Sequence, residues 1–434
     1  MRKTSVVPVE DVALWKRRLL HWAGRQEIGA CLDSNGFGSD RTYKTEWECL
    51  AAAGAVEVLE CAAGNAFAQL QDWRSRQSDW LFGLLAYDLK NETEALSSDH
   101  PDGIGWPDMA FFRPLTVAGL RRGQLEIHTL LPEPAEVLAD IESDCLSPRL
   151  NSGAEKAGAV VLCPRLERTT YLNAVEAIRS HILRGDLYEM NFCQEFYAEN
   201  VQINPVEICE RLNNIGKAPF SSYLRWKERY LLSASPERFL RKSGDVLVTQ
   251  PIKGTRPRGR VPDEDFFLRQ DLLSDEKDRS ENVMIVDLVR NDFARHCLPG
   301  SIRVEELFGI YTFETVHQMI STVSGQLPAG ASGIEALRDA FPMGSMTGAP
   351  KIMAMQLAER YEKTRRGLYS GAFGYFDPSG DFDFNVVIRS ILYNAANRYL
   401  SVHVGGAIVY DSVPEKEYEE CLIKLQGVRR VLEG

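Results

Sequence analysis

Hydrophobic residues recur every three to four positions over residues 10–24, a spacing that predicts an amphipathic helix. The next apolar run, residues 28–34, is short and ends at Asn35-Gly36, so it predicts a strand that stops at a turn. Residues 146–158 form the best candidate for a linker. The other elements predicted before this linker are a strand at residues 80–87, a hairpin of strands at residues 116–120 and 125–131, and a short helix at residues 134–143.

Beyond the linker the apolar patterns alternate between helical and strand spacing. One helix is predicted to begin at Thr170, a suitable N-cap residue, and to end at Gly185. The other predicted elements are helices at residues 278–292, 333–341, 350–363 and 415–432, and strands at residues 187–198, 229–234, 245–248, 371–376, 384–393 and 399–404. Because these elements do not form regular βαβ units, we predict an α+β fold with a large, mostly antiparallel β-sheet system and flanking helices.

Composition narrows the classes of function without selecting one. The chain has 434 residues, 44% hydrophobic and 26% charged, and its net charge of −11 argues against nucleic acid or an anionic membrane as the main partner. No apolar run approaches membrane-spanning length, and the first residues lack the apolar segment of a secretory signal. Nine cysteines without a CxxC pair indicate free thiols, so we expect a cytoplasmic protein.

Lys253 stands in a constrained stretch that follows the predicted strand at residues 245–248. Pro251 removes a backbone donor and Gly254 permits a tight backbone path, so we predict a strand-end loop. A desolvated lysine loses its proton more easily and then acts as a nucleophile, which requires a pKa well below the ordinary value of roughly 10.4. From this stretch alone, a solvated surface lysine is the alternative.

Two acidic pairs have the spacing of residues that share a helix face: Glu417 with Glu420, and Asp278 with Glu281. Mg²⁺ prefers such oxygen ligands and keeps several waters, which leaves room for an anionic substrate. The alternative is two solvated helix faces, one of them helped by Lys424 four residues after Glu420.

Other stretches suit an anionic ligand. In Gly344–Lys351, which is not a Walker A loop, the residues Thr347, Gly348 and Ala349 would offer backbone N–H groups and a hydroxyl at a helix N-terminus. A plain glycine-rich turn is the alternative there. Gly405-Gly406-Ala407 would form a second backbone cradle.

Three single residues are further candidates. Arg389 lies in a predicted apolar strand and needs an anionic partner. Glu237 is either a buried acid or an ion-pair partner of Arg238. His317 is a candidate substrate-binding residue, although a satisfied core histidine is the simpler interpretation, since no second His or Cys stands at metal-ligand spacing.

Together these residues resemble the chorismate-utilising enzyme family, over roughly residues 165–434. The motifs that carry the resemblance are Gly185–Asn191, Ser235–Phe239, Pro251–Thr255, Asp287–Asp292, Gly344–Lys351 and Asp411–Pro414. The resemblance implies an anthranilate synthase component I-like fold, in which a partly regulatory N-terminal region, residues 1–150, packs on a chorismate-binding catalytic domain, residues 160–434. Residues 30–34 resemble the strand where relatives hold tryptophan.

The resemblance also implies how chorismate, a dicarboxylate, would be bound. Mg²⁺ would bind its ring carboxylate, held by Glu281 and Glu420 directly and by Asp278 and Glu417 through water. The segment Thr347-Gly348-Ala349 would bind the same region of the substrate. The enolpyruvyl carboxylate would contact Arg389 and the backbone at Gly405 and Gly406.

In the reaction that the resemblance implies, Glu237 protonates the departing C4 hydroxyl and Lys253 adds at C2. Ammonia then enters at C4, which gives 4-amino-4-deoxychorismate, a precursor of p-aminobenzoate and folate. Members of the family that form anthranilate typically have alanine where Lys253 stands. No Gly-x-Cys-x-Gly elbow occurs in the sequence, so a separate glutamine amidotransferase subunit, or the solution, would supply the ammonia.

Glu189 departs from the family pattern, which has glutamine there in amine-forming members and lysine in isochorismate-forming ones. Its carboxylate would either disturb the electrostatics of the site or pair with a neighbouring base. The alternatives are an anthranilate or isochorismate synthase and a non-catalytic relative that binds chorismate or tryptophan. Lys253 opposes the first, the absence of lysine at position 189 opposes the second, and the full set of acid, nucleophile and metal ligands opposes the third.

Overall fold

The computed structural model describes residues 2–37, 43, 45–143 and 160–433. The predicted linker at residues 146–158 lies outside these ranges. The helices of the described residues are α1 Val12–Arg25, α2 Ala66–Arg76, α3 Lys90–Thr93, α4 Pro134–Ser143, α5 Arg168–Leu183, α6 Pro205–Gly216, α7 Pro262–Ser274, α8 Glu276–Ala294, α9 Ile334–Ala340, α10 Lys351–Tyr361 and α11 Pro414–Glu433. Every helix predicted from the apolar pattern is present, although α5 begins two residues before the predicted cap at Thr170.

The strands of the described residues form one sheet in which all the pairings are antiparallel. They are β1 Lys3–Pro8, β2 Ile28–Asp33, β3 Cys49–Cys61, β4 Leu81–Leu85, β5 Met109–Arg121, β6 Gln124–Thr129, β7 Cys163–Pro164, β8 Glu189–Ala198, β9 Phe220–Trp226, β10 Arg229–Ser235, β11 Arg238–Ser243, β12 Val246–Gln250, β13 Ile252–Pro257, β14 Arg303–Thr312, β15 Val316–Gln326, β16 Gly348–Ala349, β17 Ala372–Phe376, β18 Phe382–Val386, β19 Ser390–Asn394 and β20 Tyr399–Ile408. The predicted α+β class is confirmed.

Strands from the N-terminal and C-terminal parts of the chain pair directly. Strand β2 pairs with β9, and β4 pairs with β17. The sheet therefore runs continuously through the predicted N-terminal region, residues 1–150, and the predicted catalytic domain, residues 160–434.

Successive residues of single strands belong to two different hydrophobic clusters. Ala30 and Leu231 lie in one cluster, whereas their neighbours Cys31 and Leu232 lie in the other. Because successive side chains of a strand point to opposite faces, the sheet has an apolar layer on each face. Helices α2, α8 and α9 contribute to the first cluster and α1, α5 and α11 to the second.

One predicted strand is broken. The apolar run at residues 384–393 predicted a single strand, but β18 ends at Val386 and β19 begins at Ser390. Arg389 lies in the break, with φ 53°. The strand predicted at residues 399–404 is longer in the structure, because β20 continues to Ile408 and so includes Gly405 and Gly406.

Candidate active site

Lys253 lies on a strand, so the predicted strand-end loop is wrong. Pro251 follows the end of β12, but β13 begins immediately at Ile252 and pairs with β15. Lys253 is 7% exposed, which excludes the solvated surface lysine. Its Nζ donates a hydrogen bond to Oε1 of Glu189 on β8. The structure therefore joins the predicted nucleophile to the residue that departs from the family pattern.

The pKa of Lys253 is raised above its ordinary value, although the nucleophile prediction required it to be lowered. Burial on its own lowers the pKa of this ammonium, but the carboxylates of Glu189, Glu281 and Glu237 outweigh burial. Lys253 is therefore protonated in the resting protein, and a neighbouring group has to accept its proton before the amine can act as a nucleophile.

Glu237 is a buried acid in the turn between β10 and β11. Arg238 does not use it as an ion-pair partner and forms a two-point ion pair with Asp383, with both N–O distances 2.9 Å. Burial raises the pKa of Glu237 to about 7, although the Ser345 hydroxyl and the Lys253 ammonium both favour its carboxylate form. A carboxyl group with a pKa near neutral can donate a proton and take one back at physiological pH.

The two predicted acidic pairs, on α8 and α11, come close to the same cation. The Lys277 ammonium favours the ionised forms of Glu281, Glu417 and Glu420 alike. Burial raises the pKa of Glu281 to about 7, and burial also raises the pKa of Glu417. The pKa of Glu420 is lowered, because the ion pair with Lys424, at 2.7 Å, helps to outweigh its burial.

The two acidic pairs can hold Mg²⁺ only if few of their four carboxylates bind the ion directly. Within the described residues, no three His, Cys, Asp or Glu side chains converge on a point that would hold a metal ion. Asp278 is also engaged by Arg256, at 2.8 Å. However, among the described residues Oε1 of the buried Glu281 has no hydrogen-bond partner, and its nearest cation, the Lys277 ammonium, is 3.8 Å away. A Cβ at Gly406 would lie only 3.2 Å from Oε1 of Glu420. Mg²⁺ commonly uses one or two carboxylates and water, which these two glutamates can satisfy.

The loop Gly344–Lys351 packs against β8. Its Gly348 and Ala349 form strand β16, which pairs with the start of β8 at Glu189. The Thr347 hydroxyl donates to the carbonyl of Met343, just before this loop, at 3.1 Å. The Thr347 backbone N–H donates to the Gly344 carbonyl at 3.2 Å. The N–H of Thr347 is therefore not free, in contrast to the prediction, and the loop is fixed beside Glu189 and Lys253.

Sequence reasoning missed two residues that hold this loop. The Asn191 amide donates to the Ser345 carbonyl at 2.7 Å. Arg366, which is 2% exposed, donates to the Met346 carbonyl at 2.8 Å and to Glu362 at 2.6 Å. Only the four-residue spacing of Glu362 and Arg366 is a signal in the sequence, and it predicts a surface pair as readily as a buried one.

Gly348 is the residue of this loop least able to carry a side chain. Its φ is 148°, and a Cβ would lie 2.2 Å from the backbone oxygen of Glu189. We expect Gly348→Ala to lower the free energy of unfolding by about 1–3 kcal/mol, measured by urea denaturation. Gly427→Ala on α11 is the control, since its Cβ would have no neighbour within 4 Å and alanine favours a helix. Equal denaturation midpoints for the two variants would contradict this account.

Arg389, a predicted anion-binding residue, places a cation near the acidic helix α11. Burial lowers the pKa of Arg389, while Tyr369 and Glu420 favour its charged form. Its guanidinium forms no ion pair with any residue that the structure describes.

Gly405 and Gly406 lie inside β20 and not in a loop. Their strand pairs with β8, and β19 pairs with β20 only as far as residue 401, so the other edge at these glycines is not covered by a described strand.

His317 is a satisfied core histidine. It is 1% exposed, and its ring nitrogens contact Asp265 and Thr312, both at 2.9 Å. Both nitrogens are thus engaged by protein partners. These contacts do not join His317 to the other predicted substrate-binding residues.

Comparison with known proteins finds a matching family and similar relatives. A family described as chorismate binding enzyme matches residues 24–430, which extends well before the motifs that begin near residue 165. The chain is 36% identical to anthranilate synthase component 1 of Thermus thermophilus, over 81% of this chain and 77% of that protein. It is also 36% identical to aminodeoxychorismate synthase component 1 of Klebsiella aerogenes, over 81% of this chain and 77% of that protein.

The fold is similar to that of a solved relative. Anthranilate synthase component I from Streptococcus pneumoniae superposes with a TM-score of 0.78 and 25% identity, covering 88% of this chain and 92% of that chain. The predicted anthranilate synthase component I-like fold is therefore confirmed. The chain spans half or less of the length of several other aminodeoxychorismate synthases that it matches. No helix in the described part of the chain has the length and apolar character needed to cross a membrane.

Proposed function

The chain belongs to the chorismate-binding enzyme family, and from this premise we propose that it converts chorismate and ammonia to 4-amino-4-deoxychorismate. The observation that carries the proposal is the buried Lys253, which contacts Glu189 and lies within the electrostatic reach of Glu237. An amine that takes part in covalent catalysis needs such a position beside an acid. The resemblance gives alanine at this position in the anthranilate-forming members, which have no use for the amine.

To bind chorismate, the site has to provide a positively charged partner for each of the two substrate carboxylates. Arg389, which forms no ion pair with a described residue, would bind the enolpyruvyl carboxylate. The nearby Glu420 carboxylate favours the charged form of this guanidinium. The ring carboxylate would lie near the acidic pairs of α8 and α11, where it needs a cation between itself and the protein carboxylates. When bound there by Glu281 and Glu420, with Asp278 and Glu417 acting through water, Mg²⁺ would neutralise this negative charge.

The chemistry follows from the positions of an acid and an amine. Glu237 in its acid form donates a proton to the C4 hydroxyl, which can then leave as water and not as hydroxide. The neutral amine of Lys253 forms a bond to C2 while the C4–O bond breaks. Ammonia then adds at C4 and displaces the lysine. Two easier steps replace one difficult displacement, and the enolpyruvyl group is retained.

Product analysis tests the proposal. We expect the purified chain, incubated with chorismate, Mg²⁺ and ammonium, to form 4-amino-4-deoxychorismate. A second candidate is anthranilate formation, favoured by the 36% identity to the Thermus thermophilus anthranilate synthase component 1. Anthranilate or isochorismate as the main product would overturn the proposal, and unchanged chorismate would favour a non-catalytic relative.

The source of ammonia gives a further prediction. We propose a separate glutamine amidotransferase subunit, because relatives of this chain are named component 1. We expect the isolated chain to use ammonium salts at alkaline pH, where a larger fraction is free NH₃, and to leave glutamine unchanged. Glutamine hydrolysis by the purified chain, measured as glutamate release, would contradict the separate-subunit proposal.

The metal proposal predicts a change in binding. We expect Glu281→Gln to weaken Mg²⁺ binding roughly tenfold or more, the scale of losing one group around a bound metal. Of the four acidic residues in the two pairs, only Glu281 has a buried oxygen without a hydrogen-bond partner among the described residues. Isothermal titration with Mg²⁺, in the presence of chorismate, measures the effect. Glu305→Gln is the control, because this residue bonds Ser324 and is not near either pair in the hydrogen-bond network. Equal Mg²⁺ affinities for the two variants, or undiminished turnover in excess chelator, would contradict the assignment.

A further inference from the structure

The ion pair between Glu189 and Lys253 has no part in the steps given above. Glu189 is completely buried, its Oε1 accepts the hydrogen bond from Nζ, and its Oε2 has no partner among the described residues. The pair joins β8 to β13, strands that do not pair with each other, so the contact depends on the tertiary fold. A buried carboxylate oxygen without a hydrogen-bond partner is costly.

Other carboxylates surround the Lys253 ammonium, but only one touches it. Glu281, Glu237 and Glu420 interact with it electrostatically. Of the carboxylates that the structure describes, only Glu189 forms an ion pair with Nζ. Glu237 has to hold its own proton for the C4 hydroxyl, and Glu281 and Glu420 belong to the acidic pairs on α8 and α11. Glu189 is the acceptor that remains.

We propose that Glu189 is the base that removes a proton from Lys253 as the amine attacks chorismate, an inference that rests on the proposed function. It is a positioning residue that acts through Lys253. The glutamine that the resemblance gives at this position in other amine-forming members cannot take a proton. The pair would therefore determine how kcat of this enzyme depends on pH.

The step balances in protons and electrons. One proton passes from the Lys253 ammonium to Glu189, and the freed lone pair forms the N–C2 bond. The two ring double bonds each move one position, and the C4–O bonding pair leaves with the proton of Glu237 as water. When ammonia adds at C4, the N–C2 bond breaks, Glu189 returns its proton to Nζ, and the new ammonium group gives its extra proton to Glu237.

The internal transfer uncouples Lys253 from bulk pH. The pair of ammonium and carboxylate carries the same total charge as the pair of amine and carboxylic acid. The reactive amine therefore forms without loss of a proton to solvent. If Glu189 is replaced by glutamine, the amine forms only when Lys253 loses its proton to solvent, and the rate then depends on pH below the pKa of Lys253.

The test compares pH profiles of kcat for the wild-type enzyme and Glu189→Gln at constant free NH₃, with aminodeoxychorismate as the measured product. We expect the variant to gain an acid limb in which kcat falls roughly tenfold per pH unit. Glu189→Asp should restore the wild-type profile in part, because it keeps a carboxylate. The matched control is Glu195→Gln, which replaces another buried glutamate of β8, and it should show no new limb. Glu195 forms its ion pair with Arg165 and not with Lys253. A Glu189→Gln profile that parallels the wild type, or a folded variant inactive at every pH, would overturn the proposal.

A second measurement does not depend on turnover. The pKa of Lys253 can be followed by NMR on protein labelled with ¹³Cε-lysine, with the signal assigned by its loss in Lys253→Met. We expect Glu189→Gln to lower this pKa by one unit or more, and Glu195→Gln to leave it unchanged. An unchanged pKa in Glu189→Gln would overturn the pairing. If wild-type enzyme forms no aminodeoxychorismate while this shift is seen, the proposed function fails and the ion pair stands.

Discussion

Glu237→Gln is expected to lower kcat for the amination of chorismate by about a thousandfold, within the range of roughly 10²–10⁴ contributed by general acids. The glutamine amide fits the same buried space and keeps a contact to Ser345, but it has no acidic proton for the C4 hydroxyl. Chorismate binding should be unchanged, because the groups that match its carboxylates are elsewhere. Single-turnover kinetics with the enzyme in excess over chorismate, together with a binding titration, separate the two effects.

The pH dependence of the wild-type enzyme provides an independent check on this acid. The protonated form of Glu237 is the active one, and burial raises its pKa to about 7. The wild-type rate at constant free NH₃ should therefore fall as pH rises through 7, and this fall should be absent from the residual rate of Glu237→Gln. Glu195→Gln is again the control. A variant rate equal to the wild-type rate, or a wild-type rate that is flat from pH 6 to 8, would exclude Glu237 as the acid.

Elements with a clear apolar period of their own, such as α11 and β8, could be predicted. Helices α2, α3, α6 and α7 and strands such as β3, β14 and β15 were not predicted. The break in the strand at residues 386–390 could not be predicted, since no Gly or Pro marks it in the sequence. It depends on contacts with distant residues: the Ala234 N–H donates to the Arg389 carbonyl, at 3.2 Å. Such a contact is formed only in the assembled sheet.

The site was predictable as a set of residue types and not as a set of pairs. The sequence identifies Lys253, Glu237 and two acidic pairs, but Glu189 lies 64 residues from Lys253 along the chain. The carboxylates around the ammonium together outweigh burial and so decide the sign of its pKa shift. Pro251 suggested a loop because proline ends a strand, yet the next strand begins at once and keeps the lysine buried. The only local signal for the buried Arg366, which holds the loop Gly344–Lys351, is its spacing to Glu362, because its other partners come from distant parts of the chain.

Lys253→Ala is expected to lower the rate of 4-amino-4-deoxychorismate formation by roughly a hundredfold or more, the scale on which a missing or misplaced reacting group reduces a rate. The variant should still bind chorismate and activate its C4 hydroxyl, because Arg389, the acidic pairs and Glu237 remain. Removal of the lysine also opens space beside Glu189. A small nucleophile can then enter at C2 in place of the amine, so we expect the reaction to change product as well as rate.

The product of Lys253→Ala should depend on the nucleophile supplied. With ammonia we expect aminodeoxyisochorismate or anthranilate, and with water alone we expect isochorismate, each identified by liquid chromatography and mass spectrometry. Glu189 can serve as the base for that nucleophile, so the double variant Lys253→Ala/Glu189→Gln should form less of these products than Lys253→Ala. In the wild-type enzyme, intact-mass and peptide analysis of samples quenched during turnover without ammonia should reveal a substrate-derived adduct on the peptide that contains Lys253. If no adduct forms, and Lys253→Ala makes 4-amino-4-deoxychorismate at the wild-type rate, ammonia attacks C4 directly and Lys253 has no covalent role.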